Sequence, residues 1–130
     1  DVICSKEFGN SSPKKVFDIM DISPEYQGMD AGPKSLDLFR RVVMSSKTIL
    51  WNGPLGVFEF SNFSVGTKML GEFIANSTKN GAFSLVGGGD SVAAVKKFKI
   101  ENKMSYVSTG GGAMLESLEG KNLPGINALL

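Results

Sequence analysis

Two glycine triplets are the residues of this sequence best suited to do chemistry. They are Gly87, Gly88 and Gly89, and Gly110, Gly111 and Gly112. Each triplet follows a short apolar segment and precedes a segment with a helical pattern. A glycine turn in that position lets the backbone approach a ligand closely and directs free N–H groups at it, while the helix dipole adds partial positive charge. One triplet alone could simply serve a tight turn, but two in the same position favour an anion site.

Neither triplet matches a common nucleotide-binding motif. The G-x-G-x-x-G frame that starts at Gly87 has Val92 in its last position, and the frame that starts at Gly110 has Leu115 there. No G-x-x-x-x-G-K-[ST] sequence occurs either. A P-loop NTPase and an ordinary Rossmann dehydrogenase are therefore disfavoured.

Asp90 and Ser91 directly follow the first triplet. Asp90 has two open interpretations. As the N-cap of the next helix it would contribute about 1 kcal/mol. As a hard oxygen ligand it would hold Mg²⁺ on nucleotide phosphates, since Mg²⁺ takes only one or two protein carboxylates. The Ser91 hydroxyl could bond a phosphate or simply face solvent.

The segment 52–59 (NGPLGVFE) predicts a shaped loop, because its glycines and proline forbid a continuing strand or a regular helix. Asn52 could donate its amide to a phosphate oxygen, or it could begin the loop with an Asx turn. Glu59 could accept hydrogen bonds from ribose hydroxyls, or it could be an ordinary solvated acid. Trp51 ends an apolar run and is expected in the core.

Composition excludes several classes of function. The 130 residues contain 14 Lys and Arg against 13 Asp and Glu, no His and one Cys. Ser-His-Asp and Cys-His catalysis, histidine-ligated zinc and an intrachain disulfide are therefore impossible. The balanced charge argues against nucleic acid or a membrane surface as a partner. We expect a soluble, cytoplasmic protein with Cys4 buried and inert.

The apolar pattern predicts alternating strands and helices. Strands are expected near 1–4, 17–22, 48–51, 83–86 and 105–108, helices over 35–46, 63–77, 92–99 and 113–118, and a loop over 23–33. Gly81 and Gly120 should end helices. The alternation predicts an α/β fold with a parallel, Rossmann-like sheet between helix layers, and glycine-rich loops at the carboxyl ends of the strands. A strand at Asp1 with no preceding Met suggests a start inside a domain, so the αβα domain should be incomplete.

Four segments together resemble phosphoglycerate kinase, in that family's order and spacing. They are DAGPKS (30–35), TILWNGPLGVFEF (48–60), LVGGGDSVAA (85–94) and YVSTGGGAMLESLEGKNLPGINAL (106–129). The resemblance implies that residues 1–130 are the later half of the carboxyl-terminal, nucleotide-binding domain. The parent would be a cytoplasmic, monomeric glycolytic enzyme that transfers phosphate between 1,3-bisphosphoglycerate and ADP, giving 3-phosphoglycerate and ATP.

The same resemblance implies roles for individual residues. Gly28, Met29, Leu55 and Val57 would form the walls of the adenosine site, and Glu59 would take the ribose. Pro54 would also bind the nucleotide. Asn52, Gly87, Gly88, Gly89 and Ser91 would bind nucleotide phosphates, and Asp90 would hold Mg²⁺. Thr109, Gly110, Gly111 and Gly112 would stabilise the phosphoryl group during transfer. Ser91 stands where the family has threonine, which keeps the hydroxyl.

Several parts of such an enzyme lie outside this sequence. They are the amino-terminal domain that binds 3-phosphoglycerate, with its catalytic arginine, the hinge, and the first part of the nucleotide domain with its phosphate-binding lysines. The segment alone is therefore expected to be inactive. Two alternatives are an autonomous nucleotide- or anion-binding module without catalysis, and a purely structural fragment.

Overall fold

The computed structural model describes all residues from Asp1 to Leu130, arranged around two three-stranded sheets. The first sheet is antiparallel and contains β1 (Val2–Ser5), β2 (Lys15–Phe17) and β3 (Gln27–Ala31) in the order β2-β1-β3. The second is parallel and contains β4 (Thr48–Asn52), β5 (Phe83–Gly87) and β6 (Tyr106–Val107) in the order β4-β5-β6. The parallel sheet confirms the α/β prediction.

The structure has five α-helices, two of which connect strands of the parallel sheet. The five are α1 (Pro33–Ser45), α2 (Val65–Lys79), α3 (Gly89–Lys97), α4 (Gly111–Leu118) and the short α5 (Pro124–Asn127). α2 joins β4 to β5 and α3 joins β5 to β6, so each connection is a strand–helix–strand crossover, as parallel pairing requires. None of the helices is long and apolar enough to cross a membrane.

The hydrophobic core lies between the parallel sheet and helices α2 and α3. Its buried members are Trp51, Ile74, Ala75, Val86, Val95, Ile100 and Met104. The expectation that Trp51 is a core residue is confirmed. Gly71 allows α2 to pack closely against Ile100, because a Cβ on Gly71 would overlap the Ile100 side chain. Cys4 is also buried, as expected.

The amino-terminal third contains the largest error of the sequence prediction. Residues 23–33 were expected to form a loop, but Gln27–Ala31 is a strand, and the strand expected over 17–22 is instead Lys15–Phe17. Both strands exist because they pair with β1, which places Cys4 opposite Gly28 and Lys15. Backbone pairing across the sheet therefore overrides the turn preference of a segment rich in proline and glycine.

The helices after the two triplets begin earlier than expected. α3 begins at Gly89 rather than at residue 92, and α4 begins at Gly111 rather than at residue 113. The N-cap of α3 is Gly88, so the interpretation of Asp90 as an N-cap is wrong: Asp90 lies inside the first turn. The predicted helix-ending glycines are confirmed, since Gly81 and Gly120 have φ values of +96° and +76°.

Candidate functional site

The carboxyl ends of β4 and β5 bring Asn52 against the first glycine triplet. Asn52 pairs in register with Gly87. The next residue, Gly88, has φ +88°, a conformation that favours glycine, and a Cβ there would overlap the amide oxygen of Asn52. The Asn52 side chain therefore lies directly beside the turn that leads into α3.

The second triplet packs on the first. A Cβ on Gly111 would lie 2.6 Å from the Cα of Gly88 and would overlap its nitrogen. Met114 of α4 covers Gly87, because a Cβ on Gly87 would overlap the Met114 side chain. The structure thus brings the two predicted phosphate-binding turns into contact, with Thr109 exposed just before the second.

Three glycines of the triplets have no such packing role. A Cβ on Gly89, Gly110 or Gly112 would meet no other heavy atom of the protein within 4 Å. None of the three has a positive φ. Glycine within a helix is about 1 kcal/mol less favourable than alanine, so Gly89 and Gly112 weaken their helices without improving the packing of this chain. They leave open backbone at the helix starts.

The first turns of α3 and α4 also present backbone donors. The first intrahelical hydrogen bond of α3 runs from the N–H of Val92 to the carbonyl of Gly88, and that of α4 runs from Met114 to Gly110. The N–H groups of the three residues before Val92, and of the three before Met114, therefore have no acceptor within their helices. Two adjacent groups of free N–H donors, each at the positive end of a helix dipole, form a site suited to an anion.

Asp90 supplies a carboxylate beside these donors. It is exposed in the first turn of α3 and forms no salt bridge. No group of three His, Cys, Asp or Glu residues that could hold a metal ion occurs in the chain. Asp90 is thus a single carboxylate at the anion site, and it could hold only an ion whose other ligands come from elsewhere.

Ser91 holds the loop that follows β4. Its hydroxyl oxygen accepts a hydrogen bond of 2.6 Å from the N–H of Gly53, and the Trp51 indole N–H donates to the carbonyl of Gly53 at 2.7 Å. Ser91 is fully buried, so the interpretation in which its hydroxyl faces solvent is wrong. Within the protein, this oxygen fastens the loop to α3.

An open cleft of about 510 Å³ brings the predicted adenosine-site residues together. Gly28 and Met29 of β3 lie on one side, and Pro54, Leu55 and Val57 of the loop lie on the other. The N–H of Val57 donates to the carbonyl of Met29 at 2.9 Å, which joins the two walls. About half of the residues that line the cleft are apolar, which suits a flat heteroaromatic group.

Glu59 lies outside this cleft. Its side chain is exposed, and its backbone carbonyl accepts a 3.2 Å hydrogen bond from Lys97, which also donates to the carbonyl of Phe58 at 2.6 Å. Lys97 therefore ties the end of the loop to α3. Glu59 is the one predicted adenosine-site residue that the structure does not bring to the cleft.

Two buried polar residues that contact the walls of the site were missed by sequence reasoning. Asp30 is 3% exposed, and its carboxylate accepts 2.8 Å hydrogen bonds from the N–H groups of Ala31 and Gly66. Burial raises its pKa, and these two hydrogen bonds oppose the rise in part. Thr67 is fully buried, and its hydroxyl oxygen accepts hydrogen bonds from two backbone N–H groups of the loop after β4. Asp30 begins the DAGPKS motif, but no sequence signal marks Thr67.

Comparison with known proteins identifies relatives over the whole chain. The sequence model of the family described as phosphoglycerate kinase matches residues 1–121. The phosphoglycerate kinase of Porphyromonas gingivalis is 58% identical over 129 residues, which are 99% of this chain and 31% of that protein. That of Corynebacterium diphtheriae is 50% identical over 130 residues, or 32% of its length. The chain thus spans about a third of these relatives.

Solved structures agree in fold. The phosphoglycerate kinase from Coxiella burnetii superimposes with a TM-score of 0.89 at 44% identity, covering 97% of this chain and 32% of that one. The enzyme from Pyrococcus horikoshii superimposes with a TM-score of 0.78 at 34% identity, covering 98% and 31%. On the family match and these similarities, the chain belongs to the phosphoglycerate kinase family.

Proposed function

We propose that residues 1–130 are the later half of the carboxyl-terminal, nucleotide-binding domain of a phosphoglycerate kinase. In this proposal the segment binds the Mg²⁺ complex of ADP or ATP. The full-length enzyme transfers phosphate between 1,3-bisphosphoglycerate and ADP, with the acid substrate held by a domain outside this chain. Family membership and the one-third share of the relatives' length support the assignment to part of such an enzyme.

The observation that carries the proposal is the pair of helix starts with open glycines. Gly89, Gly110 and Gly112 have neither a steric nor a conformational need for glycine within this chain. Their open backbone lies beside the free N–H donors of α3 and α4. A phosphate chain fits this site, because it needs close backbone approach and many donors at once.

The two helix starts with open glycines are suited to phosphoryl transfer. The reaction relies mainly on positioning and on stabilising charge over the transferred oxygens, with little covalent chemistry for the protein to do. We assign the nucleotide phosphates to the first turn of α3 and to Asn52. Thr109, the N-cap Gly110, and Gly111 and Gly112 of the first turn of α4 face the phosphoryl group in transfer. Ser91 contributes its backbone N–H and positions Gly53 through its hydroxyl.

Asp90 fits the role of Mg²⁺ ligand. Mg²⁺ keeps several waters and commonly takes one or two protein carboxylates together with substrate phosphates. A single exposed carboxylate in the first turn of α3 satisfies that requirement. When bound, the ion neutralises charge on the phosphates.

The adenosine part of the nucleotide is assigned to the 510 Å³ cleft. Gly28 and Met29 form one wall, and Pro54, Leu55 and Val57 form the other. Glu59 takes the ribose in this proposal. Because it lies outside the cleft, its side chain must reach the ribose at the cleft's edge.

The test uses the full-length protein that contains this segment. Purified protein is assayed for ATP formation from ADP and 1,3-bisphosphoglycerate with Mg²⁺, and amide hydrogen exchange is compared with and without ADP. We expect turnover, with protection at residues 87–91 and 53–57. Turnover without protection of either segment would remove the nucleotide from this site, and ADP protection without turnover would favour the non-catalytic binding module.

A further inference from the structure

We propose that Thr67 is a positioning residue that sets the shape of the adenosine cleft by holding its loop wall. The wall is the cleft loop, defined here as residues 53–57. This inference rests on the proposed function, because it assigns the cleft to adenosine. It concerns a buried side chain of α2 that itself does not line the cleft.

One oxygen of Thr67 satisfies two N–H groups of the cleft loop. The Oγ1 atom accepts hydrogen bonds from the N–H of Leu55 at 3.2 Å and from the N–H of Gly56 at 3.3 Å. Thr67 is fully buried in α2, whereas Leu55 and Gly56 line the cleft. A rigid helix therefore fixes the backbone of a wall that has no regular structure of its own.

Asp30 fixes the start of α2 at the same junction. Its carboxylate accepts a 2.8 Å hydrogen bond from Gly66, the residue before Thr67. The junction is closely packed, because a Cβ on Gly56 would lie 2.7 Å from both the Cγ of Asp30 and the carbonyl oxygen of Met29. β3, the cleft loop and α2 thus meet around one carboxylate and one hydroxyl.

The other end of the cleft loop is anchored independently. Gly53 is held by the Ser91 hydroxyl and the Trp51 indole, next to the first glycine triplet. Loss of the Thr67 oxygen leaves the N–H groups of Leu55 and Gly56 without their acceptor and leaves the Gly53 anchor in place. An unpaired donor that is shielded from water is unfavourable by about 1–3 kcal/mol. The loop should therefore shift at the adenosine wall while the phosphate end keeps its position.

The experiment compares Thr67→Val with Thr67→Ser in the full-length protein. Valine keeps the shape of threonine and removes the oxygen, while serine keeps the oxygen. The measurements are kcat and KM for ADP, and the inhibition constant of inorganic tripolyphosphate, which has phosphates and no adenosine. For Thr67→Val we expect KM for ADP to rise about tenfold, with kcat and the tripolyphosphate constant within about twofold. Thr67→Ser should restore KM to within about twofold of the original value.

Three results would overturn the proposal. The first is an unchanged KM for ADP in Thr67→Val. The second is a Thr67→Ser variant as impaired as Thr67→Val, since the hydroxyl would then not be responsible. The third is a parallel rise in the tripolyphosphate constant, which would show general damage to the site.

Two controls keep the result interpretable. If Thr67→Val loses its cooperative melt, Thr67→Ala removes the same oxygen without placing a methyl group beside two N–H donors, and it is compared in the same way. Unsubstituted protein that forms no ATP from ADP would contradict the proposed function itself. Active unsubstituted protein with an unaffected Thr67→Val would contradict only this inference.

Discussion

The backbone of Gly88 occupies the place that a side chain on Gly111 would take. A Cβ on Gly111 would lie 2.6 Å from the Cα of Gly88. The two glycine triplets lie 23 residues apart in sequence, and they can touch only while Gly111 stays glycine. This contact places the starts of α3 and α4 side by side, so that their free N–H donors belong to one candidate anion site.

In the full-length protein, Gly111→Ala should lower the free energy of unfolding, whereas Gly112→Ala should not. Gly111→Ala forces a Cβ into Gly88, so we expect a loss of about 1–3 kcal/mol in the free energy of unfolding. The Cβ of Gly112→Ala meets no protein atom, so stability should be unchanged or rise by up to about 1 kcal/mol. The open backbone of Gly112 is assigned to the transferred group. The kcat of Gly112→Ala should therefore fall by a larger factor than its affinity for ADP.

Urea unfolding and steady-state kinetics of the two variants check this prediction. Equal losses of kcat and ADP affinity in Gly112→Ala would assign the α4 turn to ground-state binding. Normal kinetics in Gly112→Ala would show that the reaction does not require glycine at position 112.

Asp90→Asn tests the Mg²⁺ assignment in the full-length protein. Asp90 is exposed and is not the N-cap of α3, so the substitution should change stability by less than about 1 kcal/mol, the range of a helix-dipole effect. Asparagine lacks the charge that favours Mg²⁺, so we expect a large loss of turnover and a higher Mg²⁺ concentration for half-maximal rate. Near-normal kinetics at saturating Mg²⁺ would contradict the assignment.

The parallel half of the fold could be predicted from sequence because its signals are local. The apolar runs that became β4 and β5, the helical stripes between them and the glycines that end helices all lie within short windows. The strand Gln27–Ala31 could not be predicted in this way. It depends on pairing with β1, which lies more than twenty residues earlier in the chain.

The candidate site likewise contains residues that could be predicted from the sequence and contacts that depend on the assembled fold. Asn52, the triplets and the cleft residues were predicted from motifs and from a family resemblance. The contact of Asp30 with Gly66 and the contact of Ser91 with Gly53 span 36 and 38 residues. The first exists only because β3 packs against α2, and the second only because α3 packs beside the loop after β4, so no pattern in the sequence records them.

Ser91→Ala should destabilise the protein through the loop after β4. The substitution leaves the N–H of Gly53 without its 2.6 Å acceptor in a partly buried position, so we expect a loss of about 1 kcal/mol. The exposed Ser11 provides a control, since Ser11→Ala should change stability by less than about 0.5 kcal/mol. Urea unfolding gives the free energies, and hydrogen exchange at Gly53 gives the local effect. Unchanged exchange at Gly53 would contradict the anchoring role.

Asp30 predicts a pH dependence of stability. Burial raises the pKa of its carboxyl above the ordinary 3.8, so the folded protein retains this proton to a higher pH than the unfolded chain does. The stability contributed by Asp30 is therefore fully present below pH 3.8 and is lost as the pH rises through the folded pKa. Relative to Asp30→Asn, the unsubstituted protein should become less stable across that window.

The comparison requires urea unfolding of both proteins at a series of pH values, so that the other carboxyl groups cancel in the difference. An NMR titration of the Gly66 amide, whose acceptor is Asp30, gives the folded pKa directly. A midpoint below 3.8 would show that the hydrogen bonds from Gly66 and Ala31 outweigh the effect of burial.

Residues 1–130 alone should fold only marginally and show no kinase turnover. β4 is an edge strand with one unpaired side, and Leu38 and Val42 of α1 and Leu50 of β4 are 58%, 57% and 44% exposed. An apolar edge of a parallel sheet that lacks cover tends to associate with other chains. In the proposed enzyme, the phosphate-binding lysines and the acid substrate's domain also lie outside this segment, so ADP binding should be weak.

A thermal melt, sedimentation, and an ATP assay with ADP, Mg²⁺ and 1,3-bisphosphoglycerate check this expectation on the isolated segment. Leu50→Lys is the matched variant, because a charge on the edge strand discourages pairing between chains, and it should reduce association without creating activity. ATP formation by the segment, together with a cooperative melt of a monomer, would contradict the assignment of the segment as an incomplete part of the enzyme. A unit that folds and transfers phosphate alone requires no further domain.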